Sequence, residues 1–247
     1  MNRIARRALL VVAAVAAVLS ATGCAAERLD PNDSAQLSPA FNGDDVVWED
    51  SRNDESTGTD LYRWNVSTAT ESPVVVKPGE QDQPAISDQY VVWIDQDRLM
   101  AKPLSGGSSF NVVNGAATQT DPYVCGSLVV WSDTGNNSDV YAKQLPSGPV
   151  IPVATSGAVE AYPACDGGRV VYMYAPLGVQ ADVRLYNIGT GQTTPVANQP
   201  SNEWRPARVL STGIWGIVVA RSRHQICGVP LLMSCQATVE PEITGAV

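Results

Sequence analysis

Five prolines set the frame of this chain. Pro39, Pro84, Pro122, Pro163 and Pro206 lie 45, 38, 41 and 43 residues apart, and nine residues after each stands an aromatic: Trp48, Trp93, Trp131, Tyr172 and Trp215. One offset kept through five copies, with length variation confined to the segments between, marks a tandem structural repeat of about 42 residues.

Within a unit the pattern is that of short strands. "VVW" pairs β-branched residues with an aromatic, which suits a pleated, half-buried surface. Turn signals precede it ("NGDD", "CGS", "DGGR"). A polar loop follows, and then a second aromatic strand: Asp60 to Val66, Asp139 to Leu145 and Asp182 to Ile188. A further turn and a short apolar run complete the unit, and helical periodicity is nowhere sustained after residue 24. Four short strands per repeat predict a blade of a β-propeller, hence an all-β fold of about five four-stranded blades over residues 39–247. Six blades would require the chain ends to form an extra one. A single blade cannot cover its own faces, so each must stack on the next, and identical neighbours need identical strands. The repeated aromatics are read as packing, each burial contributing on the order of 2–3 kcal/mol.

The stretches "PAISDQYVVWIDQDR", "SPAFNGDDVVWEDSRND…TDLYRWNVSTAT" and "DPYVCGSLVVWSDTGNNSDVYAKQLPSG" resemble TolB-type β-propeller repeats. In these a proline-led inner strand precedes an aromatic-ended strand, a W-x-D-x-R loop and a D-x-Y strand. The resemblance covers about residues 38–247 and implies a protein-interaction role by analogy. The second unit departs from it, with "RLMAKPL" in place of the D-x-Y strand. The fourth lacks the Asp after its aromatic, and the fifth keeps only Pro206 and Trp215.

The first residues read as an export signal. Arg3, Arg6 and Arg7 precede the apolar run "ALLVVAAVAAVLS" and the small residues Ala21, Thr22 and Gly23, with Cys24 next. Small residues ending on a cysteine resemble a bacterial lipobox, which implies a signal over 1–23, lipidation of Cys24 and a flexible tether over 24–38. A signal peptide cleaved nearby without lipid is the alternative. Lipidation would leave the chain exported and anchored on the extracytoplasmic face of the cell membrane. Of the five cysteines this leaves four to pair in an oxidising compartment. Cys227 and Cys235 are close enough to staple a hairpin. Cys125 and Cys165 each lie three residues after a proline, at equivalent inner-strand positions of adjacent units, where a bridge is expected; two free thiols is the alternative.

Charge narrows the partners. The formal net charge is −9, and it becomes −12 without the three arginines of the signal. With no Lys/Arg cluster outside that signal, nucleic acid is excluded as a partner. The single histidine, His224, has no Ser or Cys motif beside it, so no histidine-based triad is expected and no catalytic residue is assigned. The acidic loops Glu49 to Asp60 and Ser132 to Asp139 offer oxygen ligands, but neither has the spacing of a calcium loop. They are read as hairpin tips, with no metal and no cofactor assigned.

A second acidic set, Glu80, Asp82, Asp121, Glu160 and Glu203, stands just before the inner strands, together with Trp204. These residues are expected to ring one mouth of the propeller as candidate binding residues. The leading expectation is an anchored lipoprotein that presents a propeller to a protein or an envelope component. The alternative is a carbohydrate-active enzyme: "TDPYV" (Thr120 to Val124) resembles the inner-strand Asp-Pro of five-bladed glycoside hydrolases, which implies two rim carboxylates acting as acid and base. A degenerate propeller completed by a partner chain is a third possibility, and oligomeric state is left open.

Overall fold

A computed structural model of the chain describes residues 33–115, 117–135, 137–197, 203–211 and 214–221, with side chains described up to residue 196. Among these residues there is no helix. Blade 1 comprises β1 (Gln36–Asn42), β2 (Asp45–Asp50), β3 (Asp60–Asn65) and β4 (Thr70–Val75). Blade 2 comprises β5 (Gln81–Ile86), β6 (Tyr90–Asp95), β7 (Arg98–Pro103) and the short β8 (Phe110–Asn111). Blade 3 holds β9 (Gln119–Cys125), β10 (Leu128–Asp133), β11 (Asp139–Gln144) and β12 (Val150–Ala154). Blade 4 holds β13 (Val159–Asp166), β14 (Arg169–Ala175), β15 (Asp182–Asn187) and β16 (Gln192–Ala197). A fifth sheet pairs β17 (Glu203–Ser211) with β18 (Ile214–Arg221). The described residues thus hold four complete four-stranded blades and two strands of a fifth. All pairings are antiparallel and join strands adjacent in sequence.

The prolines that reveal the repeat mark a bulge in each inner strand. The ladder to the second strand breaks between Leu37 and Ala40, Asp82 and Ala85, Ala161 and Ala164, and Trp204 and Ala207; in blade 3 it breaks between Val130 and Ser132, opposite Pro122. Proline has no N–H to give to a ladder, so it fits where the ladder is interrupted. The residue before it turns left-handed: φ is 47° at Ser38, 51° at Gln83, 50° at Asp121 and 54° at Tyr162. Such a conformation in a non-glycine residue costs of order 1–3 kcal/mol and persists only where its surroundings impose it. At Gln83 and Asp121 the neighbouring blade does so. The N–H of Gln83 donates to Glu49 Oε1 (2.7 Å), and that of Asp121 donates to Gln83 Oε1 (2.8 Å).

The aromatics nine residues on lie between blades. Trp93 packs against Val47, Leu61 and Val74 of blade 1; Trp131 joins Leu99, Ala101 and Val112 of blade 2; Tyr172 joins Val130, Val140 and Val153 of blade 3. Trp93 is fully buried and Trp131 nearly so. Each blade therefore supplies the aromatic that seals it to its predecessor, which is the physical reason the repeat must be kept. Hydrogen bonds from Gln81 N to Thr59 O, Gln119 N to Asp97 O and Glu160 N to Ser138 O clasp β5, β9 and β13 to the loop of the blade before. Cys125 and Cys165 are joined by a disulfide that ties β9 to β13, with Cα atoms 5.9 Å apart.

Two elements differ from expectation. The first strand begins at Gln36, inside the stretch read as tether. Ser34 Oγ already donates to Asp50 (2.8 Å), and the N–H of Ala35 donates to Ser51 Oγ (3.0 Å), so the fold claims these residues by hydrogen bonding that polar composition does not reveal. In the second unit "RLMAKP" keeps its strand in full register with β6; only the D-x-Y residues are lost. Cys24, Cys227, Cys235 and His224 lie outside the described residues.

Candidate functional site

Because the four strands of a blade alternate in direction, the connections between second and third strands leave from the same end as those between one blade and the next. The loops 51–59, 96–97 and 134–138 therefore share an end with 76–80, 112–118 and 155–158. That end carries the acidic set, but the structure does not leave it as one open ring.

Glu80 is exposed, and its Oε2 accepts the N–H of Thr59 at 3.2 Å. Asp82 is half-buried, and its Oδ1 is enclosed without a hydrogen-bond partner. Burial first, and then the negative charges of Glu49, Glu80, Asp97 and Asp95, push its carboxyl up to about 6. Glu49 is buried beside it and holds the bulge of the next blade. Asp121 is half-buried on its own bulge, with Thr120 Oγ1 and the Asp121 N–H both directed at Gln83 Oε1.

Glu160 corrects the expectation of a rim residue. It is 1 % exposed, enclosed at the junction of blades 3 and 4, where Ser156 Oγ donates to its Oε1. Burial above all holds its carboxyl above the usual range, with the charge of Asp139 adding to the shift. Its position is the one that Gln81 and Gln119 fill in the preceding blades, both buried, so Glu160 fills a volume required by packing and displays no charge at the rim. Glu203 and Trp204 belong to β17, and their side chains lie outside the described residues. Tyr123 packs on the core between blades 3 and 4, and Tyr162 packs beside Ala161, Met173 and Ala181.

The W-x-D-x-R loop of blade 1 is a closed ion-pair network. Asp50, fully buried, accepts from Trp48 Nε1 (3.0 Å), Arg52 Nε (3.0 Å), Arg52 Nη2 (2.8 Å) and the Arg52 N–H (2.9 Å). Burial alone would raise this carboxyl; the hydrogen bonds from Arg52, Trp48 and Ser34 overcome it and hold the group well below the usual carboxylate range. The guanidinium lies 3.8 Å above the ring centroid of Tyr62, which is itself stacked on Trp48, and its Nη1 reaches Glu71 at 2.6 Å. In blade 2 the equivalent carboxylate, Asp95, pairs with Lys77 from the connection before it. In the loop that follows Asp50, Asp60 accepts from Asn53 Nδ2 (2.9 Å), Thr57 Oγ1 (2.8 Å) and Lys77 N (3.1 Å), so its oxygens cap the turn. Among the described residues no three His, Cys, Asp or Glu side chains are grouped to hold a metal ion.

No protein-family model and no curated protein matches the chain. Solved structures do. TolB from Acinetobacter baumannii is similar with a TM-score of 0.55 at 14 % identity, over 78 % of this chain and 53 % of that one. A puromycin-hydrolyzing peptidase of Mycobacterium tuberculosis gives 0.54 at 17 %, over 78 % and 38 %. The β-propeller domain of the Trilobed protease from Pyrococcus furiosus gives 0.52 at 11 %, over 68 % and 56 %. The chain thus spans about half or less of the first two proteins. At such identities the likeness is one of fold: this is a TolB-like β-propeller.

Proposed function

We propose that the protein is a binding module, a rigid propeller displayed to a protein or an envelope component at the end where the acidic loops gather. The observation that carries this reading is the acidic cluster around Asp82, held at that end by inter-blade hydrogen bonds through Glu49, Gln83 and Asp121. Such a surface is preorganised, so little order has to be imposed on binding, and its charge favours a basic partner surface. The likeness to TolB supports a protein partner by analogy, which is fold-level support. Affinity capture from intact envelopes should recover a partner that a Glu80→Lys/Asp97→Lys variant does not; equal recovery by both would refute the reading.

We further propose that a lipid on Cys24 holds the module outside the membrane. Metabolic labelling with a palmitate analogue should mark the chain and fail to mark Cys24→Ser; an equally labelled variant would place the lipid elsewhere.

A second reading keeps one specific observation. Asp82, pushed up to about 6 beside a second carboxylate at Glu49, has the character of a general acid as used on glycosides. If glycan screening finds hydrolysis, Asp82→Asn should abolish it; hydrolysis that survives the substitution discards this assignment.

A further inference from the structure

We propose that blade 3 carries a binding site for a guanidinium group, the arginine side chain of a partner polypeptide. The internal repeat supplies the template. In blade 1 the corresponding space is filled by the chain's own Arg52, clamped between the Tyr62 ring and the carboxylates of Asp50 and Glu71. Blade 3 rebuilds the clamp and leaves out the arginine.

The frame is the same. Trp131 and Tyr141 stack with ring centroids 5.9 Å apart and an interplanar angle of 24°, against 6.4 Å and 27° for Trp48 and Tyr62. Asp133 occupies the register position of Asp50: it faces Gln119 and Asp139 as Asp50 faces Gln36 and Asp60. Its Oδ1 accepts the N–H of Gly135 at 3.1 Å, as Asp50 Oδ1 accepts that of Arg52.

Three replacements open the space. Gly135 stands for Arg52, and Ala117, two residues before the inner strand, stands for Ser34. Val150, two residues before the proline that pairs with the tyrosine, stands for Glu71. What remains is a cavity of about 210 Å³ lined by Trp131, Asp133, Tyr141, Ala117, Val113 and Val150.

The electrostatics are unfinished in the same place. Asp50 is paired with Arg52 and Asp95 with Lys77, while Asp133 has no cationic partner among the described residues. Trp131 Nε1 is buried without an acceptor, whereas its counterpart in Trp48 donates to Asp50; Trp93 Nε1 is also without one, so this atom supports the site but does not define it. A carboxylate beside an aromatic face selects a planar cation that can stack and hydrogen-bond together, which is arginine rather than lysine. Val150 and Val113 add an apolar wall against which the aliphatic stem of such a side chain packs. The site lies at the end bearing the acidic loops, because Gly135 is in the 134–138 connection. It rests on the display reading only for the source of the arginine; the pocket itself is tested with a small molecule.

The probe is N-acetyl-arginine methylamide, titrated into the purified full chain while the indole N–H signals are followed by NMR. Saturable movement of the Trp131 signal is expected, with a Kd of about 1 mM and at least several-fold weaker binding of the lysine analogue. Asp133→Asn should weaken the arginine probe tenfold or more. Gly135→Arg should abolish its binding by filling the space from within: a Cβ there meets Asp133 Oδ1 at 3.3 Å and Ala117 Cβ at 3.4 Å, contacts that a small side-chain shift relieves. No saturable movement, or binding unchanged in Asp133→Asn and Gly135→Arg, overturns the proposal. That outcome would leave capture of a partner by the Glu80 and Asp97 end intact, so failure of the pocket and failure of the display reading are told apart. If Gly135→Arg does not fold, Asp133→Asn alone decides.

Discussion

Blades 1 and 3 share a frame and differ in what fills it. Both stack a tyrosine on a tryptophan, both set an aspartate at the end of the second strand, and both are sealed by an aromatic of the next blade, Trp93 or Tyr172. In blade 1 the aspartate is buried and fully engaged; in blade 3 it borders a cavity. The difference teaches that the W-x-D-x-R loop of blade 1 is a structural clamp, and that glycine, alanine and valine in place of Arg52, Ser34 and Glu71 leave the same frame open in blade 3.

The largest effect should come from removing what the two blades have in common. Trp131→Ala empties a nearly fully buried position between blades and should cost about 3–5 kcal/mol by denaturant unfolding. Trp48→Ala should cost a similar amount; if either is tolerated, the frame is not shared. Next comes Arg52→Ala, which strips the cation from a fully buried carboxylate and should cost about 3 kcal/mol. The corresponding change of Lys77, which is more exposed, should cost much less.

Acid separates two aspartates of opposite behaviour. Asp50 has a folded-state affinity for protons below its unfolded value of about 3.9, so its network contributes fully above that pH and is lost as the pH falls below it. Asp82 is raised to about 6, so its contribution is fully present below about pH 3.9 and is lost as the pH rises through 6. Asp82→Asn should therefore raise Tm at pH 7 and leave it nearly unchanged at pH 4; an equal shift at both pH values would contradict the origin assigned to its perturbation. The smallest effect is the reverse conversion. Gly135→Arg should stabilise blade 3 by no more than about 1 kcal/mol, because its ion pair lies closer to solvent and lacks the second carboxylate.

Much of this was legible in the sequence, and the reasons differ by feature. Proline and aromatic at a fixed offset revealed the blades because both are imposed by packing: the proline by an interrupted ladder, the aromatic by the gap between sheets. Cys125 and Cys165 stood out because equivalent positions of adjacent inner strands lie close. The left-handed turn before each proline was not legible, since Ser38, Gln83, Asp121 and Tyr162 share no side-chain chemistry, and Gln83 and Asp121 are held by hydrogen bonds from the neighbouring blade. Glu160 was misplaced because a charged residue can occupy a buried position that its counterparts fill with glutamine. The vacancy in blade 3 was written in the sequence, in "WSDTG" beside "WEDSR". It becomes readable only once the structure shows that the arginine of the second is enclosed by the residues of the clamp.

The central claim, that one end of the propeller is the binding face, is tested most directly by site-specific photo-crosslinking in intact cells. A photoreactive residue at Asp97 or Thr134, both exposed at the acidic end, should trap a partner. The same residue at Ser67 or Ser147, exposed in turns at the opposite end, should not. Adducts from both ends alike, or from the Ser67 and Ser147 end alone, would contradict the account.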